Sequence, residues 1–438
     1  MTILNKMKKF QWLVWAMSIS IEEIKAAFSP AREILDPSKF VGRREQIKDA
    51  MVSLTNEGSF MAIYGLRGVG KSSIASQIKL IAEGKTELPN ILNLTQYIPS
   101  KGFDFITIYT KVDHFMDNVS DLIKRIMFGD DSNPSLFSFS KDGERMLESF
   151  KRTIQVDGSV GVFSTKASTS GKEESSYKTI RTDDLIQNFK ALLRTIEDNN
   201  RNKSGLLILI DEFDVLKNKD GFASLVKTCS SDFVRFGVIG IANTITELVV
   251  DHASVGRQIE SIEVTLMPKI ELMSILDKAE ERVGNKIRFD QHSKELIVKQ
   301  AEGFPYFVHL LGREAMLVAF DLGKKIIDKS IMDDLNTKIK AGRLSTIYEG
   351  IYHDAVKNSP QRELLLKAFA ERPEDEIYTE DVYGLVKAMG VTNPSALMKE
   401  LTAPEDKRPV LVKVRDRYFR FLDPVFKVYA KIRNWKFD

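Results

Sequence analysis

The chain has 438 residues and a mass of 49.7 kDa, room for roughly two to three domains with separate cores. With 43% hydrophobic and 29% charged residues, a largely disordered, collagen-like or membrane-embedded chain is excluded. Lys and Arg total 64 against 61 Asp and Glu, a formal charge of +3, so any nucleic-acid surface must be a local patch, while a single cysteine, Cys229, excludes a disulfide framework and fits a structural thiol in a reducing cytoplasm.

Met1 to Lys9 is basic and Phe10 to Ile21 mostly apolar. The run is broken by Gln11, Ser18 and Ser20 and is too short for a membrane span of about 20 residues. It reads as a docking helix or as an extension upstream of a start at Met7 or Met17, not as a secretory signal. Ile21 to Phe28 predicts a short helix, and Arg44 to Leu54 a second with Ile47, Ala50, Met51 and Leu54 on one face. Phe60 to Tyr64 is a buried strand ended by Gly65, and Ser72 to Ala82 a helix. Further strands are expected at Phe103–Tyr109, Leu206–Ile210 and Gly237–Ala242, with a helix at Val119–Met127. Strands alternating with helices indicate a parallel α/β sheet. Between residues 128 and 182 the pattern lapses, and an insertion is expected: a helix near 140–153, a hairpin over 153–163 and a mobile loop over 164–176.

After Glu263 the sheet pattern stops. Helical segments at Glu271–Val283, Ser293–Ala301, Tyr306–Leu322 and Lys329–Ile339 read as a lid. Helices at Gln361–Ala370, Thr379–Met389 and Asn393–Leu401, then strands at Val410–Val414 and Tyr418–Phe421, spell a winged helix-turn-helix. The resulting division is 1–33 as an N-terminal extension, 34–265 as the α/β core, 266–344 as the helical lid and 345–438 as the winged domain.

Gly65-Leu66-Arg67-Gly68-Val69-Gly70-Lys71-Ser72 fits G-x-x-x-x-G-K-[ST] between a strand and a helix, the context the motif requires. Gly65, Arg67, Gly68, Val69, Gly70, Ser72 and Ser73 are the candidate phosphate cradle. Lys71 is placed to reach the β- and γ-phosphates and the Ser72 hydroxyl to ligate Mg²⁺. The apolar run Leu206–Ile210 ends in Asp211-Glu212 at the strand edge where open α/β sheets bind ligands. Asp211 is the candidate Mg²⁺ ligand and Glu212 the group that polarises the attacking water. Asp214 reads as a capping or solvated acid. Asn243, after the strand ending at Ala242, is placed to bond that water or the γ-phosphate, and Arg257, 14 positions later, to stabilise transition-state charge within the chain or across a subunit interface.

Taken in order, Phe40-Val41-Gly42-Arg43, the P-loop, Leu209-Ile210-Asp211-Glu212, Ala242-Asn243 and Gly303-Phe304-Pro305 resemble the origin-recognition-like AAA+ ATPases and the related archaeal and STAND signalling ATPases, from about Ile34 onward. The resemblance implies an ATPase that converts ATP and water to ADP and phosphate. It also implies Val41, Gly42 and Arg43 beside the adenine, Asn243 as first sensor and Arg257 as arginine finger. The lid departs from the pattern, because Gly303-Phe304-Pro305 stands where a second-sensor arginine would begin a helix and Arg313 comes later; Pro305 and His309 are the substitutes, with His309 also readable as a core residue.

From Glu405 to Asp438 the sequence carries a local charge of +5, a candidate phosphate-binding wing. The reading helix offers base edges only Ser395 and Lys399 and opposes phosphates with Glu400. Two functions stay open: a DNA-engaging homo-oligomeric ATPase, and an ATP/ADP signalling switch acting on a protein partner in stress or antiphage defence. Neither requires a membrane.

Overall fold

The structure, a computed structural model, describes residues 19–30, 32–130, 133–141, 143, 145, 147, 182–249, 256, 258–402 and 409–433. The chain forms two compact units: residues 35–65 with 71–264, and residues up to 34 with 66–70 and 265 onward. The expected hairpin over 153–163 and loop over 164–176 lie outside the described residues, as does most of the expected helix near 140–153.

The first unit is built on a parallel five-stranded sheet. Its strands are β1 (Phe60–Gly65), β2 (Phe105–Lys111), β3 (Gly205–Asp211), β4 (Val234–Ile241) and β5 (Ile259–Glu263), in the order β2-β3-β4-β1-β5. All seven residues of β3 are buried, because parallel strands covered on both faces read as continuous apolar runs. The registers Ala62↔Val238, Ile210↔Val238 and Thr110↔Ile210 align the strands and bring their carboxyl ends to one edge. Helices Arg44–Thr55 and Lys71–Ala82 pack against the sheet. Helices Val119–Phe128, Thr182–Asn199 and Phe222–Cys229 contribute Leu122, Phe189 and Phe222 to a core shared with Phe60, Ile208 and Phe236. Cys229 sits in this core with its thiol pushed up to about 11 by burial, as a structural thiol should.

β4 begins three residues before the expected position, since the polar Arg235 interrupts the apolar run without ending the strand. β5 was not expected: only Ile262 of its five residues is buried, so this edge strand has no apolar pattern.

The second unit carries helices Ile21–Ala27, Lys269–Arg282, Gln291–Ala301, Pro305–Asp321 and Lys329–Lys340, with a two-stranded parallel pair, β6 (Arg288–Phe289) and β7 (Ile326–Ile327). Ser20 and Glu23 cap the first helix reciprocally, which is why it starts there. Helix Thr346–Val356 follows, then Pro360–Ala370, Thr379–Ala388 and Pro394–Thr402, strands β9 (Leu411–Arg415) and β10 (Tyr418–Phe421), and a last helix Pro424–Arg433. The hairpin is joined by β8 (Ile377–Tyr378) in the order β8-β10-β9, matching the helix–helix–helix–hairpin order expected of a winged helix.

Asp214 corrects its reading as a cap or solvated acid. It is half-buried in the short turn Phe213–Val215, and its Oδ1 accepts from the Ile241 N–H at 2.7 Å. That bond holds the turn carrying Glu212 to the end of β4. Asp214→Ala should remove this acceptor and, since water can reach the exposed Ile241 N–H, lower stability by about 0.5–1.5 kcal/mol, read as a shifted denaturation midpoint; Asp214→Asn, which keeps an acceptor, should lose less.

Candidate nucleotide site

Three chain segments with candidate residues leave the sheet at its carboxyl edge: the turn after β1, the acidic pair ending β3 and the Asn243 segment after β4. Gly65 has φ 152, and a Cβ there would stand 2.3 Å from the Val264 carbonyl, so close passage of the chain leaving β5 already demands glycine. At Gly70, with φ 99, a Cβ would meet nothing within 4 Å. That open backbone is what a phosphate cradle needs, since a side chain would fill it. The helix beginning at Lys71 adds first-turn N–H groups without intrahelical acceptors. Lys71 is 8% exposed and its Nζ donates to the Gly65 carbonyl at 3.1 Å, which draws the ammonium back over its own turn. Ser72 and Ser73 are half-buried in the same first turn.

The rest of the turn, residues 66–70, belongs to the second unit. Arg67 pairs with Asp423 at 3.6 Å. A Cβ on Gly68 would lie 2.9 Å from Val425 Cγ2 and 3.7 Å from Phe304 Cδ1. Within the second unit the candidate turn therefore lies beside the start of helix Pro424–Arg433 and beside Phe304, the residue before Pro305, itself buried at the start of helix Pro305–Asp321.

Asp211 is 2% exposed. Its Oδ1 accepts from the Glu212 N–H at 2.8 Å and its Oδ2 from the Tyr109 hydroxyl at 2.6 Å. Each carboxylate oxygen has a further lone pair, so the group remains able to ligate a cation. Tyr109 escaped sequence reasoning: Lys111 pairs with Asp211 in register, so Tyr109 lies diagonally across one strand, a neighbour that only the sheet order reveals. Glu212 is exposed and takes left-handed backbone, φ 55 and ψ 33. A non-glycine residue there is strained, as residues at functional turns often are.

Asn243 is exposed, and its backbone N–H and side-chain Nδ2 donate to Glu247 Oε2 at 2.7 and 3.3 Å. Its amide is therefore already engaged by a carboxylate. Val41 and Arg43 are buried, with Gly42 and Arg43 both left-handed at φ 65 and 59 just before helix Arg44–Thr55. Arg257 lies outside the described residues. His309 is a core residue: 6% exposed, with Nδ1 accepting from the Ser29 N–H at 3.4 Å and its ring edge-on to Phe28. Arg313 is bound to Glu314 at 3.1 Å.

The wing is less freely charged than its composition suggests. Lys407, Arg408 and Lys436 lie outside the described residues. Lys413 pairs with Asp416, Arg415 with Glu376, Arg417 with Glu380, Lys431 with Glu302 and Arg433 with Glu349, while Lys427 donates to the Glu374 carbonyl at 2.7 Å. Arg415 also stacks 3.9 Å over the Tyr418 ring. Among the described residues no helix is long and apolar enough to cross a membrane.

No family model matches the sequence, and no curated protein matches it. Among solved structures the chain is similar to the Drosophila origin recognition complex bound to DNA, at 13% identity over 94% of this chain and 91% of that one, with a TM-score of 0.41. It is similar also to the Aeropyrum pernix ORC1 protein in complex with DNA, at 14% identity over 90% and 92%, TM-score 0.43, and to the Thermotoga maritima RuvB Holliday junction branch migration motor, at 12% identity over 89% and 94%, TM-score 0.42. Likeness at this level leaves the activity of this chain to the chemistry of its own residues.

Proposed function

We propose that this chain binds and hydrolyses ATP and that the occupancy of its phosphate-binding turn is passed to the C-terminal module, which engages duplex DNA. The observation that carries the coupling is the double attachment of residues 66–71. Lys71 belongs to the sheet unit, whereas residues 66–70 belong to the C-terminal unit, where Arg67 pairs with Asp423 and Gly68 lies beside Val425.

Gly68, Val69 and Gly70 would present backbone N–H groups to the β- and γ-phosphates, and Lys71 would leave the Gly65 carbonyl for them. Mg²⁺, held by the Ser72 hydroxyl and the Asp211 carboxylate, would supply compensating positive charge. Tyr109 orients that carboxylate. Glu212 takes a proton from water as its oxygen bonds to the γ-phosphorus. The bond from that phosphorus to the β–γ bridging oxygen breaks, and ADP leaves with the electron pair, its charge met by Lys71. In this reading Asn243 exchanges Glu247 for the water or the γ-phosphate, Val41, Gly42 and Arg43 flank the base, Pro305 stands in for the second-sensor arginine, and Arg257 reaches the site of a neighbouring copy in a homo-oligomer.

DNA engagement is supported by Lys413, Arg415 and Arg417 on the exposed hairpin. Their ion pairs are solvent-facing and worth little, so duplex phosphates can replace the partner acids. The same internal pairing, together with Glu400 on the reading helix, where Arg362 approaches it at 3.7 Å, favours the second reading, an ATP/ADP switch that acts on a protein partner.

Lys71→Ala should weaken ATP binding about ten- to hundredfold, as loss of a charge-assisted hydrogen bond does, measured by titration with a fluorescent ATP analogue. Unchanged affinity would remove the turn from the site. Glu212→Gln should bind normally and lose about 10²–10⁴ in turnover. Steady-state hydrolysis stimulated by duplex DNA supports the first partner; turnover indifferent to DNA supports the protein-directed switch.

Coupling has a separate readout. Non-hydrolysable ATP should change amide hydrogen exchange across Pro424–Arg433 as well as in the turn, and the change should vanish in Lys71→Ala. Protection confined to the turn would refute the coupling while leaving the ATPase reading intact.

A further inference from the structure

At the amino edge of the sheet lies an open pocket of about 610 Å³ within the first unit. Its size falls within the roughly 300–1,000 Å³ of small-molecule sites. The buried side chains of Leu54, Phe103 and Phe105 line it, and Lys101, Ser204 and Arg235 add polar groups.

Arg235 is the unusual feature of this lining. It is the second residue of β4, a strand between β3 and β1 that is otherwise apolar, and it is 5% exposed. Burying a guanidinium is costly unless a counter-charge accompanies it. Here its Nε donates to the Asn56 carbonyl at 3.1 Å and its Nη1 to the Asp232 carbonyl at 3.2 Å, both neutral acceptors. The group lies 5.0 Å over the Phe105 ring. Glu57 and Asp232 are near enough to favour the cation, but burial outweighs them and draws its pKa below the ordinary arginine value. Among the described residues no carboxylate pairs with Arg235 and its Nη2 has no hydrogen-bond partner.

The backbone makes room for this arrangement. A Cβ on Gly205, φ 152, would stand 3.0 Å from Arg235 Nη1 and 2.9 Å from Phe105 Cε1. Ser204 accepts from the Asp104 N–H at 2.9 Å, leaving its hydroxyl proton to donate. Two cations and a hydroxyl donor over an aromatic and aliphatic lining make a receptor for an anion on an apolar body.

We infer that this cavity binds a small organic carboxylate with a flat apolar body, the carboxylate on Arg235 and Ser204 with Lys101 at the rim. The site is separate from the nucleotide site and does not depend on the proposed ATPase activity.

Calorimetric titration of the full chain with 2-naphthoate tests it, with 2-naphthalenemethanol as the uncharged control. Naphthoate should bind saturably and at least about tenfold more tightly than the alcohol, the difference expected of a hydrogen bond to a charged group. Arg235→Gln should lose that advantage, and Lys71→Ala should keep it. Should Arg235→Gln fail to fold, Val52→Trp fills the mouth from a rim position that is 38% exposed and should abolish binding by itself. No saturable binding, equal affinity for acid and alcohol, or undiminished binding in Val52→Trp would each overturn the proposal.

Discussion

A parallel sheet buried on both faces controls where this molecule can do chemistry. Each strand of such a sheet must be apolar along its length, so polar side chains collect where strands end. β3 obeys this strictly, with Leu206 to Ile210 buried and the first ionisable group arriving at Asp211. Since the strands are parallel and in register, the turn after β1, the acids after β3 and the amide after β4 emerge at one edge. No long loop is needed to assemble them. Asp214 then fastens the β3 turn to β4 with a bond to the Ile241 N–H, so the position of Glu212 follows from the sheet.

This logic explains why so much of the core was legible. Apolar runs bounded by glycine and followed by helical periodicity are direct consequences of burial, and β1, β3 and the helix after Lys71 stand within a residue or so of their expected limits. The helices between Lys269 and Lys340 were legible because their apolar residues recur at helical spacing. What escaped shows where burial stops being the signal. β5 is a polar edge strand with one buried residue; its pairing to β1 is a backbone property without a side-chain signature. The start of β4 was hidden by Arg235, a charge that composition rules place outside a sheet. Tyr109 looked like any half-buried strand residue until strand order put its hydroxyl on Asp211.

The wing shows the converse. A run of basic residues in sequence measures charge per length, whereas a nucleic-acid surface needs charge that phosphates can recruit, which exposed ion pairs supply only by exchanging their partner acids. Lys413, Arg415 and Arg417 each meet an acid from the same chain, and Arg415 lies over Tyr418. Glu376 and Glu380, which supply two of those acids, lie far from the hairpin in sequence and outside Glu405–Asp438. A local net charge therefore overstated the free cations.

Two buried charges stand at opposite edges of the same sheet, and their surroundings differ. Asp211 accepts two hydrogen bonds from groups placed to hold it, one from the next backbone N–H and one from Tyr109; an anion so satisfied is stable in a buried setting and still has lone pairs for a cation. Arg235 has two carbonyls and an aromatic face but, among the described residues, no carboxylate in an ion pair with it. If its role were to staple strands, neutral donors of similar reach would serve without the desolvation penalty of a guanidinium. Retaining the charge makes physical sense when an anion completes it for part of the working cycle. On that view the sheet carries a candidate cation site at one edge and the proposed anion site at the other, with an apolar core between them.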